Sequence, residues 1–215
     1  MRQIARRMEG VLEQLPTAIR QAHERIIGGR LVKNKEKLLS LYERELHVIV
    51  RGKANAEVEF GNTLLLAEQV DGVIVDWWLV REKSPGDPAL LTTSLERLHK
   101  VFGSDPIGVG ADRGFDSRGT REYLEKREIY NGVAARSIKR LKAQCQDEGF
   151  ETLQGRRSQT EGRIGILQNE FLGRPMRSKG FDHRELNVAW AILTHNLWVI
   201  ARLPQAAVRR KKKAA

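Results

Sequence analysis

Ile107–Ser117, IGVGADRGFDS, is the stretch on which the reading of the fold turns. Ile107 to Ala111 is short, small and apolar, as a strand buried on both faces would be, and Asp112-Arg113-Gly114 then leads into a helical pattern from Ser117 to Lys126. Strand, loop and helix in that order make an α/β junction. In an open α/β sheet, ligands and catalytic groups gather beyond the carboxyl ends of the strands, and Asp112 stands there. A helix N-cap or a turn would also use an aspartate at this position, so the junction alone leaves both readings open.

The neighbouring segments extend the pattern on both sides. Leu90 to Phe102 places Leu91, Leu95, Leu98 and Val101 on one helical face after the loop Ser84–Pro88, and Ile129 to Ala134 is another short strand. Further upstream, His47 to Arg51, Ala56 to Ala67 and Val73 to Val80 are β-rich, the last two forming an expected antiparallel hairpin about Asp71-Gly72. Hairpin, crossover helix, strand, helix and strand predict an α/β sheet that is partly antiparallel. Residues 2 to 30 have a helical period, with Ile4, Met8, Val11, Leu15, Ile19 and Ile26 recurring, and Pro16 suggests two helices with a break. From Gln154 the pattern is helical again. Ile164, Leu167 and Phe171 share one direction, and Arg157, Glu161 and Gln168 lie along its margin. Glu161 there suits either a site carboxylate or an exposed flank residue with an arginine partner. His183 to Leu203 reads as a long apolar helix ended by Pro204, followed by a basic tail over 205–215 expected to be disordered.

The charge balance points to a partner. The chain has 38 Lys+Arg against 27 Asp+Glu, a net charge of +11, and this excess favours a polyanion, with nucleic acid the first candidate. The cations gather in Arg2 to Arg7, Arg136 to Lys142, Arg156 to Arg163, Arg174 to Lys179 and Arg209 to Lys213, each of which also suits a solvated face. One cysteine, Cys145, rules out an intramolecular disulfide and a cysteine-clustered zinc site. No apolar run approaches the roughly 18 residues of a membrane span, and Met1 is followed by Arg-Gln-Ile-Ala-Arg-Arg rather than a signal-peptide core. The expectation is a cytoplasmic protein with no membrane partner.

Four segments together, EVEFGNTLLL, GVGADRGFDS, RRSQTEGRIGILQNEFLGRP and AWAILTHNLWVIARLP, resemble the C-terminal catalytic half of bacterial insertion-sequence transposases of the DDE type. The resemblance covers roughly residues 38 to 204. It implies an α/β fold with an RNase H-like mixed sheet flanked by helices over 46–204, preceded by a helical segment over 1–45. It also implies DNA transposition, in which three carboxylates hold two Mg²⁺ or Mn²⁺ ions. Hard cations prefer oxygen ligands, and two of them stabilise the attacking and leaving oxygens of an in-line phosphodiester displacement. By this resemblance Asp112 is the second acid and Glu161 the third, both catalytic and both metal ligands. Arg157 matches the arginine four residues before the glutamate. Gln154 and Gln168 stand where a tyrosine and a lysine are usual. Arg113, Arg157, Arg163 and Lys179 are the expected nucleic-acid contacts. The implied partners are insertion-sequence ends and target DNA, with a homo-oligomer as the form of the active assembly.

The pattern departs from the family at the first acid, which should lie on a strand before the helices at 2–45. The chain begins within those helices, so the expectation is a truncated transposase with an incomplete sheet. Of the other aspartates, Asp76 is the nearest substitute, although its strand would be the sheet's outer one. The absent strand would lie between the second and the fourth, leaving unpaired edges in the middle of the sheet. A non-catalytic nucleic-acid-binding protein that keeps the basic surface is the alternative function.

Overall fold

The computed structural model describes residues 2–53, 56–173 and 176–214, and it is mixed α/β. From the amino end, α1 (Arg2–Ile26) and a 3-10 turn (Asn34–Glu36) precede four strands, β1 (His47–Lys53), β2 (Ala56–Gly61), β3 (Leu64–Glu68) and β4 (Ile74–Leu79). There follow α2 (Asp87–Phe102), β5 (Gly108–Ala111), a 3-10 turn (Arg113–Phe115), α3 (Arg118–Lys126), β6 (Tyr130–Val133) and α4 (Ile138–Gln144). The chain then forms α5 (Glu148–Ile166), a π-helical turn (Leu167–Leu172) and α6 (Phe181–Ala214). Arg174 and Pro175, and the side chains of the basic tail Arg209 to Lys213, lie outside the described residues. No described helix is long and apolar enough to cross a membrane.

Among the described residues the strands make three two-stranded ladders, β1 with β2, β3 with β4, and β5 with β6, rather than the single RNase H-like sheet expected. No described strand lies between β3–β4 and β5–β6 to join them by backbone hydrogen bonds. The hairpin about Asp71-Gly72 forms as expected, its turn closed by the Gln69 N–H on Val73 O at 2.9 Å. The run Ala56 to Ala67 is divided instead. Its first half pairs antiparallel with β1, Val48 opposite Phe60, and its second half becomes β3.

The chain divides into two compact units. The first comprises Met1–Leu64, Leu79–Lys83 and Ser178–Leu186. In it α1 runs unbroken through Pro16, where two helices were expected. Tertiary contacts hold the helix on both sides of the proline and offset the missing backbone bond. Arg44 reaches the Gly10 carbonyl and Glu13 before it, and Gln21 after it makes two bonds with the Leu38 backbone at 2.8 and 3.2 Å. Glu43 takes the Gly180 N–H and the Arg184 guanidinium.

The second unit comprises Leu65–Trp78, Ser84–Arg177 and Asn187–Ala215. Its core is layered. Leu91 and Leu95 of α2 and Leu124 of α3 pack with Ile129 and Val133 on one face of the parallel pair β5–β6, together with Val109, Ala111 and Phe115. On the other face lies α5, and the glycines in the strands let it approach. Gly110 and Gly132 are register partners, and a Cβ on Gly132 would stand 2.5 Å from Leu153 Cδ1. At the β3–β4 hairpin, Asn196 of α6 accepts the Ile74 N–H at 2.9 Å and donates to the Ile74 carbonyl at 2.8 Å, so a side chain satisfies the start of β4. The last helix continues past Pro204 to Ala214, where a disordered tail was expected. Residues 205 to 214 hold no glycine or second proline to stop it.

Candidate active site at the carboxyl ends of β5 and β6

β5 and β6 run parallel, so their carboxyl ends open on the same side, and Asp112 is the first residue beyond β5. Its Oδ1 accepts the Gly114 N–H at 2.6 Å, capping the 3-10 turn Arg113–Phe115. The cap reading open at the sequence level is therefore realised, and Asp112 is at the same time exposed beyond the strand end. Asp87, the first residue of α2, comes to the same place. A Cβ on Gly114 would lie 2.5 Å from Asp87 Oδ2 and 2.8 Å from Asp112 Oδ1, so the two carboxylates face one small volume that only glycine leaves open. Asp87 was not singled out in the sequence. The signal was its place in Gly-Asp-Pro at a helix start, which reads first as helix capping.

Beneath the turn, Asp116 is buried and organises three arginines. Arg121 Nη1 donates to its Oδ1 at 2.5 Å, and Arg140 Nη2 and the Arg136 N–H donate to its Oδ2 at 3.0 and 2.9 Å. Burial pushes this carboxyl up, but the Arg136 N–H, the Arg121 guanidinium and the charges of Arg121 and Arg140 together hold it below its ordinary 3.8. The Arg136 side chain closes over the turn, donating from Nε to the Arg113 carbonyl at 3.0 Å and from Nη2 to the Gly114 carbonyl at 2.8 Å. Asp116 and Arg136 therefore fix the loop that presents Asp112.

α5 is anchored at the same strand ends. Gln154 Nε2 donates to the Ala111 carbonyl at 3.0 Å and to the Gly132 carbonyl at 2.7 Å, tying the helix to both strands immediately before Asp112. Its Oε1 accepts from Arg157 Nε at 3.1 Å, and Arg157 Nη1 donates to Glu161 Oε1 at 2.5 Å. Glu161 is 62% exposed at its side chain and lies seven residues beyond Gln154, about 10 Å further along the helix axis. This second half of α5 rests on the β3–β4 hairpin. Thr160 Oγ1 donates to Glu68 Oε1 at 2.7 Å, Arg163 pairs with Glu68 at 3.3 Å, and Arg156 donates to the Val70 carbonyl at 2.7 Å.

The expected site residues thus separate into groups. Asp112 and Arg113 share an exposed turn. Arg157 and Glu161 form an ion pair one helical turn apart on α5, and Arg163 is committed to Glu68 and packs over Gly72. Lys179 is exposed in the first unit. Asp76, the substitute for the first acid, is tied to α2 by Ser94 Oγ at 2.5 Å and Arg97 Nη2 at 2.6 Å. Among the described residues no three His, Cys, Asp or Glu side chains converge as metal ligands, so the three-acid constellation is not assembled. Asp87 and Asp112 offer hard oxygen donors only. Two carboxylates are too few for a two-ion site, which needs more oxygen ligands than this pair supplies. Compared with protein-family models, with curated proteins and with solved structures, the chain gives no match.

Proposed function

We propose that this chain is a DNA-acting protein of the DDE transposase type, with its chemical centre at Asp112. The observation that supports the reading best is the course of α5. One helix is pinned by Gln154 to the strand ends that precede Asp112, and it carries Arg157 and Glu161 onward over the β3–β4 hairpin. The resemblance calls for one acid beyond a strand end and one on a helix, and Asp112 and Glu161 stand on such elements, with Glu161 paired to Arg157 about 10 Å further along the axis than Gln154.

Asp112 and Asp87 would hold the divalent ion. When bound, such an ion would supply charge neutralisation at a phosphodiester and a lowered pKa for a coordinated water. The chain's own groups orient the site. Gly114 leaves the space, Arg136 fixes the turn, and Arg113 is an exposed cation beside Asp112 for a phosphate oxygen. A non-catalytic nucleic-acid-binding protein is the second reading, favoured by the pairing of Glu161 with Arg157 away from Asp112.

Nicking of supercoiled plasmid with Mg²⁺ or Mn²⁺, beside calorimetric Mn²⁺ titration, tests the choice. Cleavage and Mn²⁺ binding that both disappear in Asp112→Asn are expected. Absence of both from the folded wild-type chain would leave the binding-protein reading.

A further inference from the structure

α1 turns one face to the rest of its unit and leaves the other in water. The inner face is held by Gln21 on the Leu38 backbone and by Arg44 on the Gly10 carbonyl. On the outer face Met8, Leu12, Leu15, Ile19, Ala22 and Ile26 follow one another at intervals of four, three, four, three and four residues, and all are exposed. Alternating threes and fours make the seam of a two-helix coiled coil, with Leu12, Ile19 and Ile26 at its a positions and Met8, Leu15 and Ala22 at its d positions. A strict seam of this kind fits one facing helix rather than a broad surface.

We infer that α1 pairs with α1 of a second copy of this chain as an antiparallel two-helix coiled coil. The pairing stands apart from the chemistry proposed at Asp112. Its area is sufficient. The large apolar side chains from Ile4 to Ile26 on this face are 37% to 78% exposed and leave roughly 700 Å² in water per copy, so two copies would bury about 1,300 Å², within the range of stable specific interfaces. The register is self-complementary. With Leu12 opposite Leu15 of the second copy, Met8 meets Ile19 and Ala5 meets Ala22, so large side chains meet large ones and small meet small. Ile4, just outside the seam, then comes opposite an open groove that Ala18, Ala22, Ile26 and Leu38 line beside α1 of the other copy. Charge sets the antiparallel sense. Arg2, Arg6 and Arg7 crowd the amino end of a helix whose first turn has no acidic residue, and a parallel pair would bring both clusters and both positive helix ends together. Turned end for end, the clusters stand about 25 Å apart, beyond a Debye length of roughly 10 Å at 0.1 M salt.

The test is molar mass by light scattering on a sizing column, with the full chain at about 50 μM in about 50 mM salt, where charge repulsion holds back looser association. The wild type should elute with twice the mass of one chain. Leu12→Glu with Ile19→Glu puts charge into the central layers and should raise the dimer dissociation constant about a hundredfold or more, giving a monomer with wild-type circular dichroism. Leu193→Glu with Leu197→Glu makes the same change on the exposed side of α6 and should leave the dimer intact. Orientation is read in a Cys145→Ser background, which removes the one native thiol. Chains carrying Ala5→Cys and chains carrying Ala22→Cys should form a disulfide when mixed and oxidised, and neither should cross-link alone. This second measurement decides the matter if the glutamate variant fails to fold. A monomeric wild type, with or without binding to anionic vesicles, would overturn the inference. So would a dimer that survives the glutamates on α1, equal loss in the α6 variant, cross-linking of Ala5→Cys chains with themselves, or no cross-link in the mixture.

Discussion

The two acids that flank Asp112 in sequence and on α5 carry opposite energetic weights. Asp116 is 5% exposed and is bonded to two guanidinium groups and a backbone N–H, so Asp116→Asn leaves the arginines without their counter-charge. Both arginines remain partly exposed, which keeps the expected cost to about 2 kcal/mol, read as a fall in the urea midpoint at neutral pH. The folded carboxyl lies below 3.8, so its contribution is complete above that ordinary value and fades as pH falls through the lower folded value. The stability gap between wild type and variant should therefore close in acid below about pH 4, and a gap that stays constant into acid would mean that the bonds to Asp116 contribute little. Glu161→Gln breaks only an exposed pair and should shift stability by less than about 0.5 kcal/mol. If Glu161 acts in phosphodiester chemistry, this variant will lose nicking while its melting curve is unchanged. A parallel loss of both would make Glu161 a structural residue.

At the scale of elements, the junction Ile107–Ser117, the helix before it, the strand after it and the Asp71-Gly72 hairpin were legible because each carries a local signal of period or turn chemistry. α4 was not legible, since its seven residues show mainly charge, and its position comes from Asp116 and from the Gln144 side chain on the Ala135 N–H. The start of α5 was read at Gln154, whereas the helix begins at Glu148. Its first turn is capped by Asp147, whose side chain accepts from Gly149 N at 2.9 Å and from the Tyr130 hydroxyl at 2.7 Å, a tertiary contact that no helical period announces. Where one mixed sheet was expected, β3–β4 and β5–β6 form separate ladders among the described residues, and the pairing of β1 with β2 depends on long-range register that hydrophobic runs alone do not encode. The seat of α5 on β5–β6 gives the element-scale prediction. In Gly132→Ala the new methyl would meet Leu153 Cδ1 at 2.5 Å and the Val109 carbonyl at 2.8 Å, forcing the helix away at a cost of about 1–3 kcal/mol. Hydrogen exchange should then quicken along α5 and at the ends of β5 and β6 before it does in α2. Unchanged protection in α5 would mean that the glycine pair is not what sets the helix so close.

For the whole molecule, the unusual quantity is how much apolar side chain stays in water beside a net charge of +11. α6 is apolar on two sides. Val188, Ile192, His195 and Val199 are buried, while Trp190, Leu193, Leu197 and Ile200 recur every three or four residues and are 61%, 48%, 59% and 51% exposed. Four such side chains expose on the order of several hundred Å², at the upper end of what a single folded chain usually shows in one patch. Charge repulsion opposes association of copies at low salt, and added salt screens it over a Debye length of roughly 10 Å at 0.1 M while leaving the apolar drive intact. Light scattering of the wild type should therefore rise with salt, the reverse of the trend for DNA binding, which weakens as salt is added. Leu193→Glu with Leu197→Glu changes only the exposed stripe, so it should abolish the salt-induced rise while leaving the melting temperature of the chain within a few degrees of wild type. A large fall in melting temperature would show instead that the stripe is covered within the folded chain, and then the exposed α6 face could not be the source of association.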